Sequence, residues 1–203
     1  LLELGCASGA NLIACRAAGW AHVHGMEVVP EAAARARATG LEVECGPVER
    51  LLPRFADQSL DVIIASMVLE HFTNPFEVVE LVAAKLKPDG QFLFSTVVCD
   101  GLDGRFFGKY FAGYDFPRHM VFFRKRDLHE MLKASFVDCQ YYFQHEPMDF
   151  VRAATARSRD GRGAMLDRLI TAVGNSRKAR PVALVLALLG QTCRVSVLCR
   201  RAR

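Results

Sequence analysis

The first hundred residues alternate between short apolar runs and stretches whose apolar residues recur at helical spacing. Residues 1–4 form an apolar run holding one carboxylate and read as the end of a strand. Residues 10–18 predict a helix, stopped by Gly19. Residues 22–26 predict a second strand, ended by Glu27. Pro30 opens an Ala/Arg-rich helix that stops at Gly40, because proline suits a helix start and glycine the place just past its end. Residues 41–45 give a third strand. The near-continuous apolar run at 60–66 gives a fourth, of the kind buried on both faces. A helix follows over 75–86, then a tight Lys87-Pro88-Asp89-Gly90 turn and a fifth strand over 91–98. Strand and helix in this order predict an α/β fold, a parallel sheet with crossover helices.

The pattern changes after residue 98. Residues 100–123 read as loop, rich in Gly, Phe and Tyr and holding Pro117. Residues 125–134 read as helix and 136–144 as strand. Residues 147–181 are helical and basic, 182–189 form an apolar helix, and 194–200 a last strand. The 182–189 run is too short to span a bilayer, which takes about 20 residues. Internal repeats and a clean interdomain linker are absent from the pattern. A single domain over 1–203 is therefore expected, with 147–193 as a helical insertion or lid. The chain starts inside its first strand without Met and reads as N-terminally truncated.

Composition changes this picture little. Hydrophobic residues make up 51% and charged residues 24% of 203, enough for a full core. A net charge of +4 permits an anionic partner without demanding nucleic acid. Seven cysteines without a C-x-x-C pair suit free thiols in a reducing cytoplasm and give no metal site. The basic run 152–180 reads first as a solvated helical face; with 182–189 behind it, weak peripheral contact of 152–190 with an anionic membrane is a second reading.

The candidate chemistry sits at strand ends. Gly5, Ala7 and Gly9 remove bulk from the turn after the first strand, so backbone can approach a ligand. The G-x-G-x-x-G of dinucleotide enzymes is missing, since Ala7 and Ala10 hold the later glycine places. Glu27 ends the second strand about 20 residues on, where a carboxylate can accept from a ribose diol. Ser66 and Met67 follow the fourth strand and face the same sheet edge.

These segments together resemble the class I S-adenosylmethionine-dependent methyltransferases of the type 11/type 23 group. The resemblance rests on ELGCASG at 3–9, GMEVVPEAAARAR at 25–37, LDVIIASMVLEHFTNP at 60–75 and LKPDGQFLFST at 86–96. A stretch at 113–119, GYDFPRH, looks like the PRH segment of type 23 members. The resemblance implies a doubly wound, Rossmann-like sheet of seven strands. Its last strand would be antiparallel, with the helical insertion between strands six and seven. It implies S-adenosylmethionine as cofactor, with Glu3, Gly5, Cys6, Ala7 and Gly9 around its methionine part. Glu27 would hold the ribose, Val48 would border the adenine, and Ser66 and Met67 would lie beside the amine and sulfonium. Ala7 stands where many members carry Gly. Pro47 stands where many carry an acidic residue that bonds the adenine amine, which predicts weaker cofactor binding.

Methyl transfer from a sulfonium needs alignment, and needs a base only when the acceptor must lose a proton. His119 and His71 are the candidate bases, because imidazole titrates near neutral pH. Tyr114, Asp115 and Arg118 are the candidate acceptor-side residues. The aromatics at 106, 107, 110, 111, 114 and 116 read as a pocket wall. Ser66-Met67-Val68-Leu69 replaces the Asn-Pro-Pro-Tyr-like signature of amino methylation, which favours a small-molecule O- or C-acceptor. Competing readings are a non-catalytic cofactor-binding module, a nicotinamide-dependent oxidoreductase, and an RNA or protein methyltransferase.

Overall fold

In the computed structural model, which describes residues 1–144, 146–173 and 176–203, the predicted alternation is realised. The chain runs β1 (Leu2–Leu4), α1 (Ala10–Ala17), β2 (His24–Glu27), α2 (Pro30–Ala38), β3 (Glu42–Cys45) and a short α3 (Val48–Leu51). It continues through β4 (Leu60–Ser66), α4 (Pro75–Lys85) and β5 (Leu86–Val97). Then come α5 (Leu102–Phe107), α6 (Lys125–Leu132), β6 (Phe136–Phe143), α7 (Pro147–Arg159), α8 (Met165–Val173), α9 (Ser176–Leu188) and β7 (Arg194–Arg201).

The seven strands lie in the order β3-β2-β1-β4-β5-β7-β6. β1 pairs in parallel with both β2 and β4, β2 with β3, and β4 with β5. The chain winds outward from β1 to β3 and returns to β4 on the other side. The switch point therefore falls at the carboxyl ends of β1 and β4, where ligands bind in open α/β sheets. β7 is antiparallel, as expected: Val98 N–H donates to the Cys193 carbonyl, and further along Cys199 Sγ donates to the Phe92 carbonyl, so the partners run in opposite order.

Two compact units divide the chain. The first holds Leu1–Ser95, His129–Gln140 and Val197–Arg203; the second holds Thr96–Leu128 and Tyr141–Ser196. In the first, Ile63 and Ala65 of β4 are fully buried, while Val62 and Ile64 on the other face pack against Leu1, Leu12, Ala33 and Val43. Both faces are covered, though unequally. Phe92 and Phe94 stack at 4.9 Å, and Phe136 closes on Phe92 at 5.7 Å. Burial of each such ring contributes roughly 1.5–3 kcal/mol.

Three local expectations are corrected. Lys87-Pro88-Asp89-Gly90 is an excursion within β5 instead of a turn before it. Leu60 pairs Leu86 and Val62 pairs Gln91, so three extra residues loop out, with Asp89 at a φ of 63°. The predicted loop 100–123 contains α5, because buried Asp103 accepts from the N–H groups of Gly104 and Cys193 and anchors a helix too short to show periodicity. The basic and apolar stretches meet in one helix: α9 runs through Pro181 at the cost of one backbone hydrogen bond. The preceding basic helix breaks in two at Gly161, whose φ of 70° ends α7. α7 packs on α5, α8 and α9 in the second unit. Among the described residues, no helix is long and apolar enough to cross a membrane.

Candidate active site

The turn after β1 is wound by left-handed residues. Gly5, Ala7 and Gly9 have φ of 67°, 47° and 84°. Gly5 is required twice over: an L-residue is strained at that φ, and a Cβ there would lie 2.5 Å from Val68 Cγ2 in the loop after β4. Ala7 pays the same backbone strain with a methyl in place. Cys6 N–H donates to the Met26 carbonyl and holds the turn against β2. Burial, reinforced by the Glu3 and Glu27 carboxylates, pushes the Cys6 thiol up to about 12, so it packs as a neutral group.

Two buried carboxylates flank this turn. Glu27 Oε2 accepts from Ala7 N–H at 2.8 Å and Oε1 from Val29 N–H at 2.8 Å. A carboxylate has about four acceptor positions, so two remain for a ligand. Glu3 is 2% exposed. Its Oε1 accepts from Asn11 Nδ2 at 2.7 Å, and its Oε2 is buried without a hydrogen-bond partner. Burial raises the Glu3 carboxyl above its ordinary value, against the lowering effect of Asn11. Leaving such an acceptor unmet costs about 1–3 kcal/mol, which a ligand donor can recover.

The ends of β3 and β4 complete the edge. Gly46 N–H donates to the Glu27 carbonyl and ties the end of β3 to β2. Pro47 follows, and buried Val48 opens α3. Met67 has a φ of 53° and donates its N–H to the Ser95 carbonyl at 2.9 Å. Ser66 Oγ lies 3.2 Å from Ser95 Oγ. His71 ends a short 3-10 turn, Leu69–His71, and is exposed. All nine residues expected to bind cofactor thus lie in the first unit, at the carboxyl ends of four neighbouring strands. Sequence reasoning missed Asn11, Ser95 and Val29, which hold Glu3, Met67 and Glu27. Only Asn11 carried a signal, a polar side chain in the first turn of a helix whose next four residues are apolar or small, up to Arg16.

The acceptor-side candidates lie in the second unit. Arg118 and His119 both donate backbone N–H to the Asp115 carbonyl, so 115–119 forms a closed turn. Arg118 Nη1 pairs with Asp115 Oδ2 at 3.1 Å in an open setting. His119 is buried, and its Nδ1 lies 2.8 Å from the Gly113 carbonyl. A carbonyl only accepts, so Nδ1 is the donor in this contact. Tyr114 meets Phe111 and Phe122 edge-on at 5.3 and 5.4 Å, and burial raises its phenol. The expected aromatic wall divides. Phe107 and Phe111 are buried core, Phe106 lies under the Arg157 guanidinium at 4.6 Å, and Phe116 is 80% exposed.

A family model described as a methyltransferase domain matches residues 1–135. The chain belongs to this methyltransferase family. A ubiquinone biosynthesis O-methyltransferase of Neisseria meningitidis is 30% identical over 104 residues, 48% of this chain and 43% of that protein. The match thus spans less than half of that relative's length. A SAM-dependent methyltransferase from Archaeoglobus fulgidus superposes with a TM-score of 0.68 over 98% of this chain and 84% of its own, at 16% identity. A Haemonchus contortus phosphoethanolamine N-methyltransferase solved with S-adenosylhomocysteine gives 0.65 over 100% of this chain and 48% of its own, at 14% identity.

The first of these structures is described as dependent on S-adenosylmethionine and the second holds its demethylated product, so S-adenosylmethionine is the group against which the edge is compared. The carboxyl edge at β1 and β2 fits it on its own geometry. Glu3 Oε2 lacks a donor, Glu27 keeps two acceptor positions, and the turn between them carries no side chain larger than that of Cys6 or Ser8.

Proposed function

We propose that the chain transfers a methyl group from S-adenosylmethionine to a hydroxyl or carbon of a small-molecule acceptor. The observation that carries this reading is the pair of buried carboxylates at the switch point, each left with acceptor capacity. The absence of an amino-methylation signature at 66–69 and the O-methyltransferase relative support an O- or C-acceptor.

The bound cofactor supplies an electrophilic methyl group. Glu27 takes the ribose hydroxyls and Glu3 Oε2 takes a donor of the methionine part. Gly5, Cys6, Ala7 and Gly9 let the backbone close on the ligand, and Val48, Ser66 and Met67 border it. Met67 is the aligning residue, since its strained backbone is pinned to Ser95 before any ligand arrives. On the acceptor side His119 is the base, with Gly113 fixing the ring. His71 is the second candidate base. Tyr114, Asp115 and Arg118 orient the acceptor. Seven free thiols support a reducing, cytoplasmic setting.

Titration calorimetry with S-adenosylhomocysteine and a labelled-methyl transfer assay against a metabolite extract test the reading. Glu27→Ala should weaken cofactor binding about 10- to 100-fold. His119→Asn keeps a donor toward Gly113, so it should lower transfer about 100-fold while leaving cofactor affinity unchanged. Pro47→Asp should tighten the cofactor; native sub-micromolar affinity that Pro47→Asp does not improve would remove the weak-adenine reading. Binding without transfer would return the chain to a non-catalytic module, and nicotinamide binding instead to an oxidoreductase.

A further inference from the structure

The second unit leaves an apolar face uncovered. On α9, Leu184, Val185 and Leu188 are exposed, Leu188 by 78%, and Leu189 follows at 64%. At 100° per residue these positions span about 140° of one side of the helix. Arg180, one turn before Leu184, is exposed on the adjoining edge. α8 begins the same way: Met165 is 79% exposed, Leu166 half exposed and Arg168 exposed, while Asp167 turns inward and is fully buried. Both helices pack on α7.

The charge around this face has one sign. Residues 147–189 contain eight Lys or Arg and three Asp. All three carboxylates are already engaged: Asp149 with Arg194, Asp160 with Lys109 and Tyr110, and Asp167 with Arg157. Exposed arginines at 162, 168 and 180 therefore border apolar side chains with no carboxylate of the segment left over.

We propose that the outward faces of α8 and α9 dock on the surface of an anionic lipid bilayer. Leu184, Leu188 and Met165 enter the boundary between headgroups and acyl chains, and the arginines meet lipid phosphates. α9 has 13 residues. At about 1.5 Å per residue it cannot cross a hydrocarbon core of about 30 Å, so it lies in the plane of the surface. A second copy of the chain is a poorer occupant. A two-fold interface sets this face against itself, and the basic rims would repel.

Vesicle co-sedimentation of the chain tests this without any turnover. Vesicles of phosphatidylcholine containing about one third phosphatidylglycerol should bind at least about tenfold more protein than phosphatidylcholine alone, and added salt should weaken the binding. Leu184→Gln with Leu188→Gln leaves the charge unchanged and replaces exposed side chains only. It should cut binding about tenfold with thermal unfolding unaltered. Equal binding to neutral and anionic vesicles, or none to either, would overturn the proposal. Anionic binding that ignores the double substitution would reduce the effect to general charge attraction and overturn it as well. A concentration-dependent dimer that the double substitution dissolves would assign the face to a second copy instead.

Discussion

Glu27 in the first unit and Asp167 in the second are both buried carboxylates, and they are held by different partners. Glu27 receives two backbone N–H groups, one on each oxygen, from the turn after β1 and from Val29. Asp167 receives the Arg157 guanidinium on both oxygens, at 2.6 and 2.8 Å, and Ala164 N–H besides. The first arrangement keeps acceptor positions open at a strand end. The second fills three of its four and clamps α7 to α8. Asp149 repeats the second arrangement, with Arg194 donating from Nε at 2.5 Å. A carboxylate held by backbone stays available to a ligand, whereas one held by an arginine fork has become structure.

Substitutions can break this contrast from either side. The largest effect belongs to the structural pair. Asp167→Ala strands a largely buried guanidinium and should cost about 3–5 kcal/mol in denaturant unfolding, with cofactor affinity changed far less. Burial alone would raise the Asp167 carboxyl, but the Arg157 fork and Ala164 N–H outweigh it and hold it below 3.8. Its contribution is therefore present above pH 3.8 and lost as pH falls through the depressed value.

Gly5→Ala comes next. Strain at positive φ and the contact with Val68 should cost about 2 kcal/mol and weaken S-adenosylhomocysteine binding at least about tenfold in calorimetry. Glu3→Gln should act in the opposite direction on stability. The Glu3 carboxyl is raised above its ordinary 4.5, so the native protein is most favoured below that value and loses stability as pH rises through the raised one. Gln removes this cost, a gain on the order of 1 kcal/mol or about 2–4 °C in Tm at neutral pH. The gain should vanish in acid, and cofactor affinity should fall. A Glu3→Gln variant with unchanged Tm at both pH values would mean that the unmet oxygen carries no strain. The smallest effect is that of Ala7→Gly. Relief of the φ of 47° is partly offset by added chain entropy, leaving a gain of up to about 1 kcal/mol with cofactor affinity unaltered.

Legibility followed the same division. The places of Gly5, Gly9, Glu27, Ser66 and Met67 at strand ends were readable because such positions in a parallel sheet are set by local pattern and spacing. The seven strands and the antiparallel β7 matched what the family resemblance implied. Beyond residue 98 the reading weakened. α5 is six residues long, too short for a periodic signal, and its anchor Asp103 bonds to Cys193, 90 positions away. α9 ran through a proline that local rules treat as a boundary. The aromatic run at 106–116 gave no hint that Phe107 and Phe111 turn inward while Phe116 faces solvent.

The sequence by itself determined the α/β class and which residues lie along the carboxyl edge of the sheet. Each depends on hydrophobic period, on glycine at positions where L-residues are strained, and on spacing along one chain. Tertiary structure alone decided which carboxylates remain available and which are consumed. It also decided that Glu3 keeps an unmet oxygen, and that Leu184 and Leu188 stay uncovered. Those outcomes depend on which distant groups arrive within hydrogen-bond or van der Waals reach, and such short-range energies have no counterpart in the order of residues.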